Sequence, residues 1–177
     1  MGRFRRYCNT PQTMADFKSR YKIPDNIATE LALVDAVRES PGNDTLHILI
    51  VAVIEGGVRF PLAPLLRQVL AFYRLSPMQV SANFFCVVMG INTLNQMLGT
   101  SLGLHDIHHL YSISRTKDAL TYYLKSRDSR RRLVLELPDS ARGDDDDFLI
   151  VTGNFVPRNE DGRVIGFHMP HRFCTPH

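Results

Sequence analysis

With 177 residues, of which 44% are hydrophobic, the chain is long enough to form one domain with its own core. No apolar run reaches the roughly 18 to 20 residues that a membrane span needs, and three cysteines are too few and too widely spaced for a disulfide framework. We therefore expect no membrane association, reduced thiols and a cytoplasmic or nuclear location. The net charge of +3 is too small to indicate nucleic-acid binding by itself.

The first 24 residues are polar and basic and show no sustained hydrophobic period. Because Pro11 and Pro24 interrupt them, we predict a partly disordered arm that is ordered only where it docks. Asp25 or Asn26 then provides the N-cap of a predicted helix, which ends at the turn residues that begin with Pro41. The apolar stripe of this helix consists of Ile27, Leu31, Val34 and Val37.

The most apolar part of the chain extends from residue 46 to residue 114 and contains only five formal charges. Residues 46–54 are rich in β-branched side chains and predict a buried strand, although their periodicity also allows a helical turn before Gly56. A helix is predicted to begin between Pro61 and Pro64, because proline fits the first turn of a helix. Its predicted buried face consists of Leu65, Leu66, Val69, Leu70, Phe72 and Tyr73, and its outer face of Arg67, Gln68 and Arg74.

Ser76, Pro77 and Gln79 have the spacing of a capping box, so a second helix is predicted to start at Pro77. Ser81 or Asn83 is the predicted cap of a third helix. The apolar surface of this third helix is wide enough to be buried on more than one side, and it consists of Phe84, Phe85, Val87, Val88, Ile91, Leu94 and Leu98.

The hydrophobic pattern changes after a short predicted helix at 104–113. Residues 120–124, 132–137 and 148–152 are strand-like runs with short connections, which predict an antiparallel β-meander. The predicted fold class is therefore α+β, with a helical core of about four to five helices followed by a small antiparallel β-meander. The predicted organisation is a basic arm over residues 1–24, a single globular domain over 25–156 and an irregular tail over 157–177.

Charge is unevenly distributed along the chain. Residues 1–22 contain six basic residues and one acidic residue, net +5, and residues 125–132 contain five basic residues and one acidic residue, net +4. Arginine and lysine clusters can neutralise phosphates, and aromatic residues between them can stack on bases; the alternative for both clusters is a solvated surface. The aromatic residues of the first cluster are Phe4, Tyr7, Phe17 and Tyr21. The candidate nucleic-acid contacts are Arg3, Arg5, Arg6, Lys125, Arg127, Arg130, Arg131 and Arg132.

Two motifs in the apolar segment are specific enough to suggest an origin. The first runs from Gly57 to Pro64 and reads GVRFPLAP, and the second runs from Ser76 to Asn83 and reads SPMQVSAN. With these motifs, residues 46–155 resemble the plant proteins known as the putative gypsy-type transposon or plant transposon protein domain family. The resemblance implies a retrotransposon-derived domain without catalytic residues. The positions that match the family motifs are Gly57, Arg59, Pro61, Pro64, Pro77, Gln79 and Asn83.

A retroelement origin makes an aspartic protease worth testing, because Asp139-Ser140-Ala141 has the residue types of the catalytic turn of that enzyme. Pro138 interrupts the strand that should lead into such a turn, so an ordinary loop is favoured. Cys86 lies among apolar residues and is predicted to be a buried structural thiol. We therefore predict no catalytic residue and do not expect an enzyme.

Two histidine groups and one acidic run are candidate metal ligands. His105, His108 and His109 share a face of the predicted helix at 104–113, but a solvated role is favoured because no cysteine lies near them. The acidic run at 144–147 is expected to stay hydrated, because adjacent carboxylates repel one another. We predict neither a metal nor a cofactor. The C-terminal group, for which an irregular tail is favoured over a zinc site, consists of His168, His171, Cys174 and His177.

The leading functional hypothesis is a non-catalytic interaction or assembly domain of a plant transposon-derived protein. Its expected partner is a protein, either a second copy of the chain or another protein encoded by the element. The alternative is a nucleic-acid-binding domain that uses the basic clusters at the N-terminal arm and at the 125–132 turn.

Overall fold

The computed structural model describes residues 3–32, 44–117, 121–137, 147–166 and 170. This part of the chain has an α+β fold with five α-helices and two antiparallel sheets. None of the helices described there is long and apolar enough to cross a membrane. The helices are α1 (Pro11–Arg20), α2 (Ile50–Ile54), α3 (Pro64–Tyr73), α4 (Ala82–Leu98) and α5 (Leu104–Leu110). The strands are β1 (Ile27–Ala32), β2 (Thr45–Leu49), β3 (Tyr111–Arg115), β4 (Tyr122–Ser126) and β5 (Phe148–Gly153).

The N-terminal segment contains a helix, α1, that we did not predict from the sequence. Its N-cap is Thr10, whose side chain accepts a hydrogen bond from the amide of Thr13, while the Thr13 hydroxyl accepts one from the amide of Thr10. Pro11 does not interrupt the segment but begins the helix, because proline loses no hydrogen bond at the first helical position. The segment also contributes to the hydrophobic core, through Phe4, Cys8, Phe17 and Ile23.

A three-stranded antiparallel sheet has β5 at its centre, between β1 and β2. The prediction of a helix after Asn26 is wrong for the residues that the structure describes there, because Ile27–Ala32 is strand β1. Ile27 and Leu31 misled the prediction, since a spacing of four residues puts two side chains on one face of either a helix or a strand. Val34 and Val37, the remaining residues of that predicted stripe, lie outside the described residues.

The run at 46–54 is divided between two elements. Its first half is the predicted strand, β2, and its second half is the short helix α2, which corresponds to the helical turn that the periodicity allowed. The amide of Ile50 donates to the carbonyl of Asp147 at 2.9 Å, so the start of α2 is held at the beginning of β5. Nearly all of this run is buried, as its composition indicates.

Helix α3 begins at Pro64 as predicted, and its predicted apolar face is buried at Leu65, Leu66, Val69 and Leu70. The prediction is wrong for Arg67, which is only 2% exposed. The segment around Ile165 and Gly166 covers that side of the helix. The Nη1 atom of Arg67 donates to the carbonyl of Ile165 there, at 2.6 Å. On the predicted apolar face, Phe72 is 51% exposed and Tyr73 is half-buried.

The predicted capping box is confirmed, because the Gln79 Oε1 atom accepts hydrogen bonds from the amide and the hydroxyl of Ser76. The element it starts is a single 3₁₀ turn, Pro77–Gln79, and α4 begins afterwards with Ser81 as its N-cap. The apolar surface of α4 is narrower than predicted, since Leu94 is half-buried and Leu98 is 68% exposed. The confirmed core residues of α4 are Phe84, Phe85, Val87, Val88 and Ile91.

The α+β class and the antiparallel pairing are confirmed, but the three predicted strands do not form one meander. The helix predicted at 104–113 ends at Leu110, after which β3 pairs with β4, while β5 belongs to the other sheet. The run at 132–137 is not a strand. The amide of Leu133 donates to the hydroxyl of Tyr111 at 3.1 Å, and Glu136 has a left-handed φ of 53° that breaks an extended chain.

Candidate functional site

The residues of the first motif have structural roles. Gly57 has φ of 72°, a conformation that glycine adopts without steric cost. The Nη1 atom of Arg59 donates to the carbonyls of Val53 and Val58 at 2.9 and 2.7 Å, so its guanidinium holds the chain that follows α2. Pro61 follows a cis peptide bond, and Pro64 is the first residue of α3.

The residues of the second motif connect α4 to the sheet formed by β3 and β4. Pro77 begins the 3₁₀ turn that Gln79 caps. The side-chain oxygen of Asn83, which is 8% exposed, accepts a hydrogen bond from the amide of Leu124 at 3.2 Å. The matched positions of both motifs therefore hold the fold together.

The three predicted nucleic-acid contacts of the N-terminal cluster differ in their surroundings. The Nη2 atom of Arg3 lies 2.8 Å from the Oε1 atom of Glu55, so this cation already has an acidic partner. Arg5 is half-buried. The guanidinium of Arg6 is exposed and lies 5.0 Å from the ring centroid of Tyr7, and its Nη2 atom donates to the Tyr7 hydroxyl at 3.1 Å.

The basic turn at 125–132 is organised by one carboxylate and by backbone carbonyls. The Nε atom of Arg127 donates to the carbonyls of His108 and Tyr111, both at 3.2 Å. Asp128 accepts hydrogen bonds from the guanidinium and the amide of Arg130, and these bonds hold the pKa of Asp128 below its usual value. The exposed basic residues of the turn are Lys125, Arg127, Arg130, Arg131 and Arg132.

An open cleft of about 150 Å³ lies between a 3₁₀ turn at Arg5–Tyr7 and α1, and we call it the N-terminal cleft. Arg6 is the predicted contact that lines it, and no residue of the 125–132 turn does so. The guanidinium of Arg20 lies 6.0 Å from the ring centroid of Tyr21, and that of Arg59 lies 5.1 Å from the same ring. The residues that define the cleft are Arg6, Tyr7, Asp16, Phe17, Arg20 and Tyr21.

Arg20 was not among the predicted contacts. It could have been included only if α1 had been predicted, because the helical spacing of four residues brings Asp16 and Arg20 to the same side as the aromatic ring of Phe17. The signal in the sequence was the pair Thr10-Pro11, a cap followed by proline at the first helical position.

A second depression of about 310 Å³ lies between α4 and residues 134–137, and we call it the α4 groove. Its helical wall has small or flexible side chains at spacings of three and four residues. A Cβ atom on Gly90 would lie 2.8 Å from Val134 Cγ2, so glycine allows the two segments to approach closely. The residues that line the groove are Glu55, Gly56, Gly57, Cys86, Met89, Gly90, Thr93, Val134, Leu135, Glu136 and Leu137.

In the part of the chain that the structure describes, the buried titratable groups include no activated nucleophile. Burial, with a contribution from Asp147, raises the pKa of Cys8 to about 12. Cys86 was predicted to be buried but is only half-buried. Burial, and to a smaller extent Glu55, raises the pKa of its thiol. The thiol donates a hydrogen bond to the Glu55 carbonyl at 3.4 Å. Burial lowers the pKa of His47. Both thiols are therefore protonated and this histidine is neutral near pH 7.

Among the described residues, no three histidine, cysteine or acidic side chains lie close enough together to hold a metal ion. His105, His108 and His109 lie in or at the end of α5, where the ring of His108 packs edge-on against Phe72 with centroids 5.5 Å apart. Asp147 is the one residue of the acidic run that the structure describes. It was predicted to be hydrated but is buried, because it directly precedes the central strand β5. The other candidates, namely Asp139, Ser140, Ala141, the acidic residues 144–146, His168, His171, Cys174 and His177, lie outside the described residues.

Comparisons of the chain with protein-family models, curated proteins and solved structures found no match. The likeness to plant transposon proteins therefore stays a prediction from the two motifs. The functional argument rests on the N-terminal cleft and the α4 groove, whose lining residues do not overlap.

Proposed function

We propose that the chain is a non-catalytic assembly domain of a plant transposon-derived protein, and that a second copy of the chain binds at the α4 groove. The motifs GVRFPLAP and SPMQVSAN support the origin. The observation that carries the function is an exposed apolar side chain, Met97, next to an apolar groove on the same helix face. The small number of cysteines supports a reducing compartment, the cytoplasm or the nucleus.

Self-association is favoured because one surface offers both a depression and the side chains to fill it. Met97 lies one helical turn beyond Thr93 and is 76% exposed, and Leu135 on the opposite wall is 68% exposed. A two-fold symmetric interface requires a patch that is complementary to itself. When two copies face each other at the groove, Met97 of each copy can enter the groove of the other.

The charges at the groove are compatible with such an interface. Two acidic residues line the groove, Glu55 and the exposed Glu136. Glu55 is paired with Arg3 at 2.8 Å, which reduces its share of the repulsion between the rims of two copies. This ion pair is partly exposed, so we assign it a small contribution to the binding energy. The apolar side chains are expected to contribute most of the affinity.

The groups in the groove support binding instead of catalysis. The thiol of Cys86 has a raised pKa, and the hydroxyl of Thr93 donates to the carbonyl of Met89 at 2.9 Å within α4. Glu55 is engaged by Arg3. A nucleophile needs a nearby base or a lowered pKa, and the environment of Cys86 has the opposite effect.

Sedimentation equilibrium over a range of concentrations tests this proposal. We expect a monomer–dimer equilibrium that Met97→Asp and Leu135→Asp each weaken at least about tenfold, because a buried apolar side chain contributes roughly 1.5–3 kcal/mol. Phe72→Asp is the matched control, since Phe72 is an exposed apolar residue that does not line the groove. A chain that remains monomeric at millimolar concentration, or a control that weakens association equally, contradicts the proposal.

Nucleic-acid binding is the second candidate function. The observation that favours it is the N-terminal cleft, where the exposed Arg6 and Arg20 flank aromatic rings. The turn at 125–132 adds exposed cations but no aromatic wall to that cleft. Salt-dependent binding by phosphate contacts alone would involve both clusters, whereas binding with bases would depend on the cleft.

A further inference from the structure

We infer that the N-terminal cleft binds a pyrimidine nucleotide, with the base against its aromatic wall and the phosphate on Arg6 and Arg20. This inference goes beyond the proposed assembly function, because it concerns a surface that shares no lining residue with the α4 groove. The nucleotide is either free or part of a single strand, since both present the same base and phosphate.

The cleft is open to solvent, and its volume of about 150 Å³ equals that of an apolar cavity known to hold one six-membered aromatic ring. A pyrimidine has one such ring, whereas the second, fused ring of a purine would extend out of the cleft. A pyrimidine is therefore the base that the cleft covers most completely.

Aromatic side chains form the wall of the cleft. Phe17 is buried, and its ring packs against that of Tyr21 with centroids 4.7 Å apart on the inner side of the cleft. Tyr7 at the mouth is 37% exposed, with the guanidinium of Arg6 5.0 Å from its ring centroid, so its exposed part is the surface that a planar ligand would contact. Base–aromatic contacts of this kind typically change affinity by roughly five- to 150-fold per base.

The charges of the cleft set the orientation of the ligand. Arg6 and Arg20 are exposed at its edge and can bind a phosphate in a bidentate manner. Asp16 repels phosphate, but its carboxylate can accept a hydrogen bond from a ring N–H or an exocyclic amino group. One carboxylate has about four acceptor sites, so the existing bond from Gln12, at 3.1 Å, leaves capacity for the base.

Duplex DNA is a poor ligand for this cleft, because its bases are stacked and paired. The cleft needs a base whose face can contact the aromatic wall and whose edge can donate to Asp16. A phosphate-only ligand lacks the ring. An acidic peptide can pair with the arginines but presents no ring with a donor edge to Asp16. These differences separate the nucleotide from other anions.

The test is fluorescence anisotropy of the full chain with labelled oligothymidylate of 12 nucleotides at low salt. We expect Arg6→Gln combined with Arg20→Gln to weaken binding at least about tenfold, and Tyr7→Leu at least about fivefold. Tyr7→Phe, which keeps the ring, should retain most of the affinity, whereas Arg6→Lys, which keeps the charge but loses the bidentate geometry, should retain only part of it. The matched control is Arg130→Gln combined with Arg131→Gln, which removes the same charge from the basic turn and should have a smaller effect.

Competitor ligands identify what is bound. Displacement by thymidine monophosphate indicates a free-nucleotide site, and displacement by the unlabelled strand alone indicates a single-strand site; both support the inference, as does weaker binding of oligoadenylate. Equal displacement by inorganic polyphosphate, equal loss in the turn variant, or no effect of Tyr7→Leu overturns it. Absence of binding at low salt also overturns it. The cleft variants should leave the sedimentation behaviour of the chain unchanged, so this inference and the assembly proposal fail separately.

Discussion

His47 shows how one buried polar side chain can make stability depend on pH. It lies on β2 and is 5% exposed, and its Nδ1 atom has no hydrogen-bond partner among the described residues. In the sheet, Ile150 separates His47 from Glu30 on β1, so no carboxylate lies directly opposite the imidazole. Burial lowers the pKa of His47 because the charged imidazolium loses its hydration.

We expect the free energy of unfolding to fall as the pH drops below about 6.5, the pKa of histidine in an unfolded chain. As the pH falls, His47 binds a proton in the unfolded state before it does so in the folded state, and this difference favours unfolding. The stability that neutral His47 provides is therefore present above about pH 6.5 and is lost as the pH falls through the lowered pKa of the folded state. Urea titrations between pH 7 and pH 5 should show a smaller loss for His47→Gln than for the wild type. His105→Gln, at an exposed position, is the control and should follow the wild type. Parallel curves for the wild type and His47→Gln would rule out this explanation.

At the scale of elements, α4 and β4 are joined through one amide side chain. Asn83 lies in the first turn of α4, and its oxygen accepts the amide of Leu124 in the middle of β4. Val80, which directly precedes the N-cap of α4, forms a β-bridge with Tyr122 and so adds a backbone connection to the same strand. The helix and the strand therefore depend on each other for satisfied backbone groups.

Asn83→Ala should reduce the free energy of unfolding by about 1–3 kcal/mol, because the buried amide of Leu124 is left without an acceptor. Gln96→Ala, which removes an amide side chain from the last turns of the same helix, should change it by less than about 0.5 kcal/mol, since Gln96 is exposed. Chemical denaturation of both variants provides the comparison. If Asn83→Ala were as stable as Gln96→Ala, the side-chain hydrogen bond would be unimportant for docking the strand.

At the scale of the whole molecule, the N-terminal segment completes the core. Helix α1 contacts β1 through a hydrogen bond from the Thr29 hydroxyl to Met14 Sδ at 3.2 Å and another from Lys18 Nζ to the Ile27 carbonyl at 2.8 Å. Phe17 is 3% exposed and belongs to the same hydrophobic cluster as β5 and α4. A segment with the composition of a solvated arm is thus part of the folded unit.

Phe17→Ala should cost about 3–5 kcal/mol of stability, as expected for removal of a buried aromatic side chain. Phe72→Ala is the control, because Phe72 is 51% exposed and should lose much less. Thermal unfolding monitored by circular dichroism distinguishes the two. Nearly equal transition temperatures would mean that the first 24 residues dock loosely and that the core ends at β1.

The sequence by itself determined the elements whose signals are local. Proline at Pro64 and the Ser76–Gln79 capping box marked two starts correctly, because these side chains act on backbone groups within one turn. The dense apolar residues at 46–114 also identified most of the core, since burial of that much apolar surface is needed in any fold of this chain.

Only the tertiary structure decided the features that depend on distant residues. Whether Ile27 and Leu31 belong to a helix or a strand was decided by pairing with β5, more than 100 residues later in the chain. Arg67 is buried because a carbonyl 98 residues away accepts its hydrogen bond. The α4 groove exists for the same reason, because α4 and residues 134–137 meet there and no local period encodes their contact.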